Sequence, residues 1–220
     1  MSKHINDKKN EKNNDLGIVR CTVLFCFMCG AESDAEGTEN DSTVVVIDTV
    51  VTSYTVDTAT TVINWMTYDG EEIAHQGTVA ALSGSFEITV IGEEASITGG
   101  DLVVNMNSIA EGDEKLEGHL KTPDFFDVMQ FPTTSFAFDR HENGMIYGTA
   151  TIIGKEVAIE APVELTVAEG TAVVTVGEFT VDFAALEMMF FEREKTEAKP
   201  EEMHSTSIGF SATVNGSAAQ

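Results

Sequence analysis

Basic residues are scarce in this chain. It contains 12 Lys and Arg residues against 37 Asp and Glu residues, which gives a formal net charge of −25. Proteins that bind nucleic acid neutralise phosphates with cationic side chains, and anionic membrane surfaces attract the same groups. The charge balance therefore argues against both partners. Because the acidic residues are spread along the chain, we interpret them as a solubilising surface rather than as a binding patch.

Cysteine is absent from most of the chain. The three cysteines are Cys21, Cys26 and Cys29, all in the N-terminal segment, so the fold that follows does not depend on disulfides. The spacing of Cys26 and Cys29 is that of a redox pair or of half a zinc site. No second pair follows, and the acidic loops lack the regular oxygen-ligand spacing of calcium sites. We therefore expect no metal site.

Catalytic motifs are also missing. The sequence has no Gly-x-Ser-x-Gly elbow, no His-Glu-x-x-His and no phosphate-binding glycine loop. The histidines at 75, 119, 141 and 204 are scattered. We therefore predict that the protein is not an enzyme and has no catalytic residue. Of the histidines, His119 is the one to test for a reaction inside the fold.

The first 42 residues resemble an export signal followed by an acidic tether. Residues 1–16 are polar and carry four lysines, and residues 18–28 are mostly apolar but too short to span a bilayer. This layout is typical of a secretory signal. Cys29-Gly30-Ala31 and the acidic residues after it resemble the junction of a bacterial lipoprotein. We expect lipidation at Cys29 and a periplasmic or outer-envelope location, with secretion as the alternative.

Three residues depart from the lipoprotein pattern. Cys26 stands where such signals usually have Leu, Met28 replaces a small residue, and Arg20 interrupts the apolar run. A tail on a cytoplasmic protein therefore stays open as an alternative.

Residues 43–216 are predicted to form one β-barrel domain. Short β-branched runs are separated by glycine-containing turns, and Asn143-Gly144 is a strong hairpin signal. The predicted strands are 44–56, 61–68, 77–82, 85–91, 95–108, 133–141, 145–153, 156–168, 171–183 and 205–214. Several runs alternate apolar and polar residues, which places the apolar set on one face of a sheet.

Strands that follow one another without crossover helices favour an all-β, antiparallel barrel of about eight strands, because closing the sheet removes exposed edges. One short capping helix is predicted from Glu114 to Lys121, with Asp113 as its N-cap. Residues 192–204 carry many charges and are interpreted as a solvated loop.

The sequence resembles the YceI-like family of lipocalin-like, polyisoprenoid-binding proteins over about residues 54–214. The matching blocks are Tyr54-Thr55-Val56-Asp57, Val62-Ile63-Asn64-Trp65, His75-Gln76-Gly77-Thr78-Val79, Ser83-Gly84-Ser85-Phe86, residues 100–109, residues 115–128 and Phe131-Pro132-Thr133-Thr134-Ser135-Phe136. One departure is Asp182-Phe183, where the family usually has an Asp-Arg pair. The Met- and Phe-rich residues that follow, Met188-Met189-Phe190-Phe191, are interpreted either as an apolar mouth of the barrel or as buried strand residues.

The resemblance implies a barrel that stores or transports an isoprenoid-type lipid, such as a quinone or a prenyl phosphate, in the cell envelope. At about 0.3 kcal/mol per heavy atom, each five-carbon unit contributes about 1.5 kcal/mol, so micromolar affinity needs five or six units. The candidate ligand-binding residues are Trp65, Met106, Phe125, Phe126, Phe136, Phe138, Phe179 and Phe210. For each of them the alternative is ordinary core packing.

The alternative function is a structural or stress-related envelope protein whose barrel is packed solid and holds no ligand. Apart from the lipid, no cofactor is expected, and a membrane is contacted only through the N-terminal anchor. A homodimer is compatible with the sequence, which carries no feature that decides the oligomeric state.

Overall fold

The computed structural model of the protein describes residues 48–199 and 203–219. The predicted signal, the Cys29 lipidation site and the acidic tether lie outside these residues. The described residues form a nine-stranded antiparallel sheet. Its strands are β1 (Thr49–Val56), β2 (Val62–Asp69), β3 (Glu72–Ile91), β4 (Glu94–Ala110), β5 (Thr133–Glu142), β6 (Met145–Ile152), β7 (Lys155–Ala168), β8 (Thr171–Asp182) and β9 (Ser207–Ala218).

The sheet closes into a barrel of eight strand positions, as predicted. Successive neighbours run from β3 through β2, β9, β8, β7, β6 and β5 to β4, and β4 pairs again with β3. Strands β1 and β2 share one position between β3 and β9. The first half of β3 pairs with β2 and its second half with β1, and β9 is divided between the same two strands.

Alternation along the strands places the apolar residues inside the barrel. In β7, Ile159, Ala161 and Val163 are buried while Glu160 and Glu164 are exposed. The same alternation runs through β6. A period of two therefore sorts side chains between the interior and the solvent, as the sequence indicates.

Two predicted local features are confirmed. The hairpin between β5 and β6 turns at Asn143 and Gly144, whose φ angles of 53° and 73° are both positive. Helix α1 (Glu114–Leu120) begins after Asp113, whose carboxylate Oδ1 accepts a hydrogen bond from the Lys115 backbone N–H at 2.8 Å.

The prediction of separate strands at 77–82 and 85–91 was wrong. Both belong to β3, which runs through Ser83 and Gly84 with shifts of register against β4. An ideal Cβ at Gly84 would lie 2.6 Å from the Asp101 carbonyl oxygen. This glycine therefore permits close approach of two strands rather than ending one.

The segment after β8 also differs from the prediction. A 3₁₀ turn (Phe183–Leu186) follows β8, and helix α2 (Met189–Glu197) occupies part of the predicted solvated loop. The Asp182 carboxylate ends the strand by accepting a hydrogen bond from the Ala184 N–H at 2.9 Å. Residues 189–191 lie in α2 and Met188 is its N-cap, so the interpretation of 188–191 as strand residues was wrong, although Met188 and Phe191 are buried.

Candidate functional site

The barrel encloses a cavity of about 1010 Å³. On β4 its wall extends from Ile97 to Ile109. Twelve steps of about 3.3 Å, tilted about 40° from the barrel axis, give a length of about 30 Å. Spreading about 1010 Å³ over about 30 Å gives a mean cross-section of about 34 Å². The cavity is therefore long and narrow, which suits a thread-like ligand.

The wall of the cavity is mostly aliphatic and aromatic. Aliphatic side chains come from the inward faces of neighbouring strands, among them Ile63, Val104, Ile146, Ile159 and Val174. A long apolar molecule that enters this space leaves water. Each Å² of apolar surface that is buried contributes about 25 cal/mol of favourable free energy to binding.

All eight residues predicted to bind the ligand line the cavity. Trp65 and Met106 are buried, whereas the six phenylalanines are partly buried and pack against the core. Phe179 and Phe210 face each other across the β8–β9 pair with ring centroids 5.8 Å apart. The structure thus brings these residues together on one surface.

Glycine makes room for two of these rings. An ideal Cβ at Gly148 would lie 2.4 Å from Phe136 ring atoms, and one at Gly77 would lie 2.8 Å from Trp65 ring atoms. Each ring therefore lies flat over the backbone of the adjacent strand, which orients it along the wall.

The cavity reaches the surface at one end of the barrel, which we call the mouth. The β2–β3 hairpin, the end of β4 and the start of β9 meet there, because antiparallel strands alternate in direction. Ala74, Met203 and His204 line the cavity and are exposed. Helices α1 and α2 lie beside this opening.

An aromatic cluster joins the turn after α1 to helix α2 at the mouth. Phe125 and Phe190 stack with centroids 4.7 Å apart, and Phe191 meets Phe125 edge-on at 6.2 Å. His119 and His204 add edge contacts to Phe190. These rings cover part of the opening with apolar surface.

Polar contacts at Asp124 fasten the same two elements. Its Oδ2 accepts hydrogen bonds from Arg193 Nη2 and His119 Nε2, each at 3.1 Å, and its backbone carbonyl accepts one from the Phe190 N–H at 3.0 Å. The guanidinium of Arg193, followed by the imidazole of His119, lowers the pKa of the Asp124 carboxyl below its ordinary value. We call this arrangement the Asp124 latch.

Two further histidines at the mouth also face carboxylates. His75 Nδ1 lies 3.2 Å from Glu111 Oε1, and His204 Nδ1 lies 2.5 Å from Glu194 Oε1. Near the same rim, Tyr68 donates a hydrogen bond to Glu178, which raises the pKa of the phenol to about 12. The phenol therefore stays neutral across the physiological range.

Within the described residues, no group of three or more His, Cys, Asp or Glu side chains could hold a metal ion. No helix among the described residues is long and apolar enough to cross a membrane.

Comparison with known families gives a match over most of the barrel. The model of the YceI-like domain matches residues 54–215. The chain belongs to the YceI-like family. No protein in a search of curated sequences matches it.

Solved structures with the same fold include the following two. BcnA from Burkholderia cenocepacia is 16% identical with a TM-score of 0.58, and the match covers 73% of this chain and 98% of BcnA. A polyisoprenoid-binding domain from Saccharophagus degradans, implicated in plant cell wall breakdown, is 14% identical with a TM-score of 0.56. That match covers 76% of this chain and 99% of the domain.

Sequence reasoning missed part of the mouth of this YceI-like barrel. His75, His204 and Phe183 line the cavity but were not among the predicted site residues. The signal for Phe183 was its position directly after Asp182, where the strand alternation ends. No sequence signal places His75 and His204 together, because their approach depends on strand pairing.

Proposed function

We propose that the protein binds a long, apolar, isoprenoid-type lipid inside the barrel and stores or carries it in the cell envelope, without catalysing a reaction. The lipid contacts the aromatic and methionine side chains predicted as site residues and enters through the mouth. The Saccharophagus degradans neighbour, which is a polyisoprenoid-binding domain, supports the ligand class.

The observation that carries this proposal is the cavity of about 1010 Å³ with its mostly apolar wall. Small barrels either fill with side chains or keep room for one ligand. A length of about 30 Å suits a chain of several five-carbon units, in line with the five or six needed for micromolar affinity. The same cavity argues against a solidly packed structural barrel.

The test compares two Ala→Phe variants. Ala212 lines the cavity on β9, and Ala158 on β7 is exposed. The Ala212→Phe side chain displaces about six ligand atoms at about 0.3 kcal/mol each, so we expect about twentyfold weaker lipid binding. Ala158→Phe leaves the cavity unchanged and serves as the control.

Each purified protein is extracted with organic solvent, and the extract is quantified by mass spectrometry. We expect near-stoichiometric prenyl lipid from the native protein and from Ala158→Phe, and much less from Ala212→Phe. Circular dichroism establishes that all three proteins are folded. An extract free of prenyl lipid, together with no uptake of added polyprenol, would refute the proposal.

A further inference from the structure

Lysine and arginine are missing from the cavity wall in the described part of the chain. Among the described residues that line the cavity there is no Lys or Arg, and the acidic ones are Asp69 and Asp101. The ionisable side chains that remain are His75, His119, His204 and the phenol of Tyr68.

Two cations on helix α2, beside the mouth, are engaged with carboxylates. Arg193 contacts Asp124 at 3.1 Å in the latch. On the same helix, Lys195 lies 2.5 Å from Glu192. Neither group therefore offers an anionic ligand an uncompensated positive charge. A phosphate or carboxylate head would meet Asp69 and no lysine or arginine among the described residues that line the cavity, and desolvating an unpaired charge is unfavourable.

Each of the three histidines uses one ring nitrogen on a carboxylate. His75 faces Glu111, His204 faces Glu194 and His119 faces Asp124. Because a carboxylate only accepts hydrogen bonds, that nitrogen is the donor of the pair and is not offered to a ligand. The Tyr68 hydroxyl is likewise used as a donor to Glu178, which leaves its oxygen to accept.

We propose that the mouth selects isoprenoids with an uncharged hydroxyl head, a polyprenyl alcohol or phenol, and rejects the phosphorylated forms. This inference rests on the proposed function and specifies its ligand. The hydroxyl hydrogen is donated to an oxygen acceptor at the mouth, the Asp69 carboxylate or the Tyr68 phenol, and the tail extends along the apolar wall.

Three ligands with one tail test the inference: a six-unit prenyl alcohol, its methyl ether and its diphosphate. Binding is followed by the fluorescence of Trp65, the chain's single tryptophan, which lines the cavity. We expect the ether, which lacks the donor, to bind about fivefold to tenfold more weakly than the alcohol. The diphosphate should bind at least about a hundredfold more weakly, because its charge is unpaired.

A pair of lysine variants localises the effect. Ala74 is exposed and lines the cavity at the mouth, whereas Thr171 is exposed in the hairpin at the other end of the barrel and does not line it. Ala74→Lys should reduce the preference for alcohol over diphosphate about tenfold, since it supplies a cation at the mouth. Thr171→Lys changes the net charge equally and should leave the preference unaltered.

The inference is overturned if the native protein binds the diphosphate or the ether as tightly as the alcohol. The proposed function survives that result, because a prenyl chain is still bound. If none of the three ligands binds, the proposed function and this inference both fail.

Discussion

At the scale of single residues, the shape of the cavity wall depends on glycine residues. Gly148 in β6 lies beneath the ring of Phe136 in β5, and an ideal Cβ there would meet two ring atoms and the Ala137 carbonyl oxygen, all at 2.4 Å. Backbone carbonyls in a closed sheet cannot withdraw easily. Glycine is therefore required at position 148 because there is no space for a Cβ beside the ring, and not because of the backbone conformation.

Gly148→Ala should lower the free energy of unfolding by about 1–3 kcal/mol, because the methyl group forces the ring and strand apart. Gly118→Ala is the matched control. Gly118 lies in helix α1 with no atom within 4 Å of an ideal Cβ, so this change should stabilise the protein by about 0.5–1 kcal/mol. Urea unfolding measures both values. Equal free energies of unfolding for the native protein and Gly148→Ala would contradict this prediction and show that the wall moves to accommodate the methyl group.

At the scale of elements, the mouth is held by one ionic latch and one aromatic cluster. Asp124 joins the turn after α1 to Arg193 of α2, and Phe125 and Phe190 stack beside it. The pKa of Asp124 is lowered, first by Arg193 and then by His119. Because the pKa of this carboxyl is lowered in the folded protein, the carboxylate stabilises the closed arrangement at pH values above the unfolded pKa of about 3.9. This stabilisation is lost as the pH falls through the folded pKa.

Asp124→Asn should therefore loosen α2 at neutral pH, because the amide cannot replace the charge that binds Arg193. Hydrogen exchange of the Phe190 amide, which donates to the Asp124 carbonyl oxygen, measures the opening. We expect faster exchange in Asp124→Asn than in the native protein at pH 7. The ratio should approach one as pH falls through the lowered pKa of the Asp124 carboxyl, below which the native carboxyl is protonated as well.

Asp139→Asn is the control for this experiment. Asp139 pairs with Arg140 on the exposed surface of β5 and should leave the Phe190 amide unaffected at every pH. A ratio between Asp124→Asn and the native protein that stays constant from pH 7 to a pH at which the native carboxyl is protonated would show that the carboxylate charge does not hold the latch.

The elements also show where sequence reasoning succeeds and where it stops. Alternation predicted the inward face of β7, and the Asn143-Gly144 pair predicted the hairpin, because both depend on local geometry. Sequence reasoning failed at Ser83-Gly84, which has the composition of a turn but lies inside β3. It failed again after Asp182, since helix α2 depends on the contacts of Phe190 and Phe191 with Phe125, a residue distant in sequence.

At the scale of the whole molecule, an apolar interior is combined with an acidic exterior. The net charge of −25 belongs to a chain whose cavity wall is largely hydrocarbon. Outward carboxylates such as Glu160 and Glu164 alternate with the inward residues of β7, so one strand period produces both surfaces. Neighbouring proteins repel one another while the interior stays available to lipid. The acidic barrel itself does not attract an anionic membrane surface, so a proposed membrane anchor must lie in another part of the chain.

We predict that this part is Cys29. In a bacterial host, the native protein and Cys26→Ser should incorporate alkyne-labelled fatty acid, and Cys29→Ser should not. Two or more acyl chains anchor a protein stably, whereas one gives only marginal binding. The labelled forms should therefore sediment with membranes at high salt, and Cys29→Ser should be released.

Cys26→Ser is a close control, because the two cysteines differ by only three positions. Labelling that persists in Cys29→Ser and disappears in Cys26→Ser would move the anchor to the earlier cysteine. No labelling in any form would favour the secreted or cytoplasmic alternatives, in which the barrel meets its lipid without a tether.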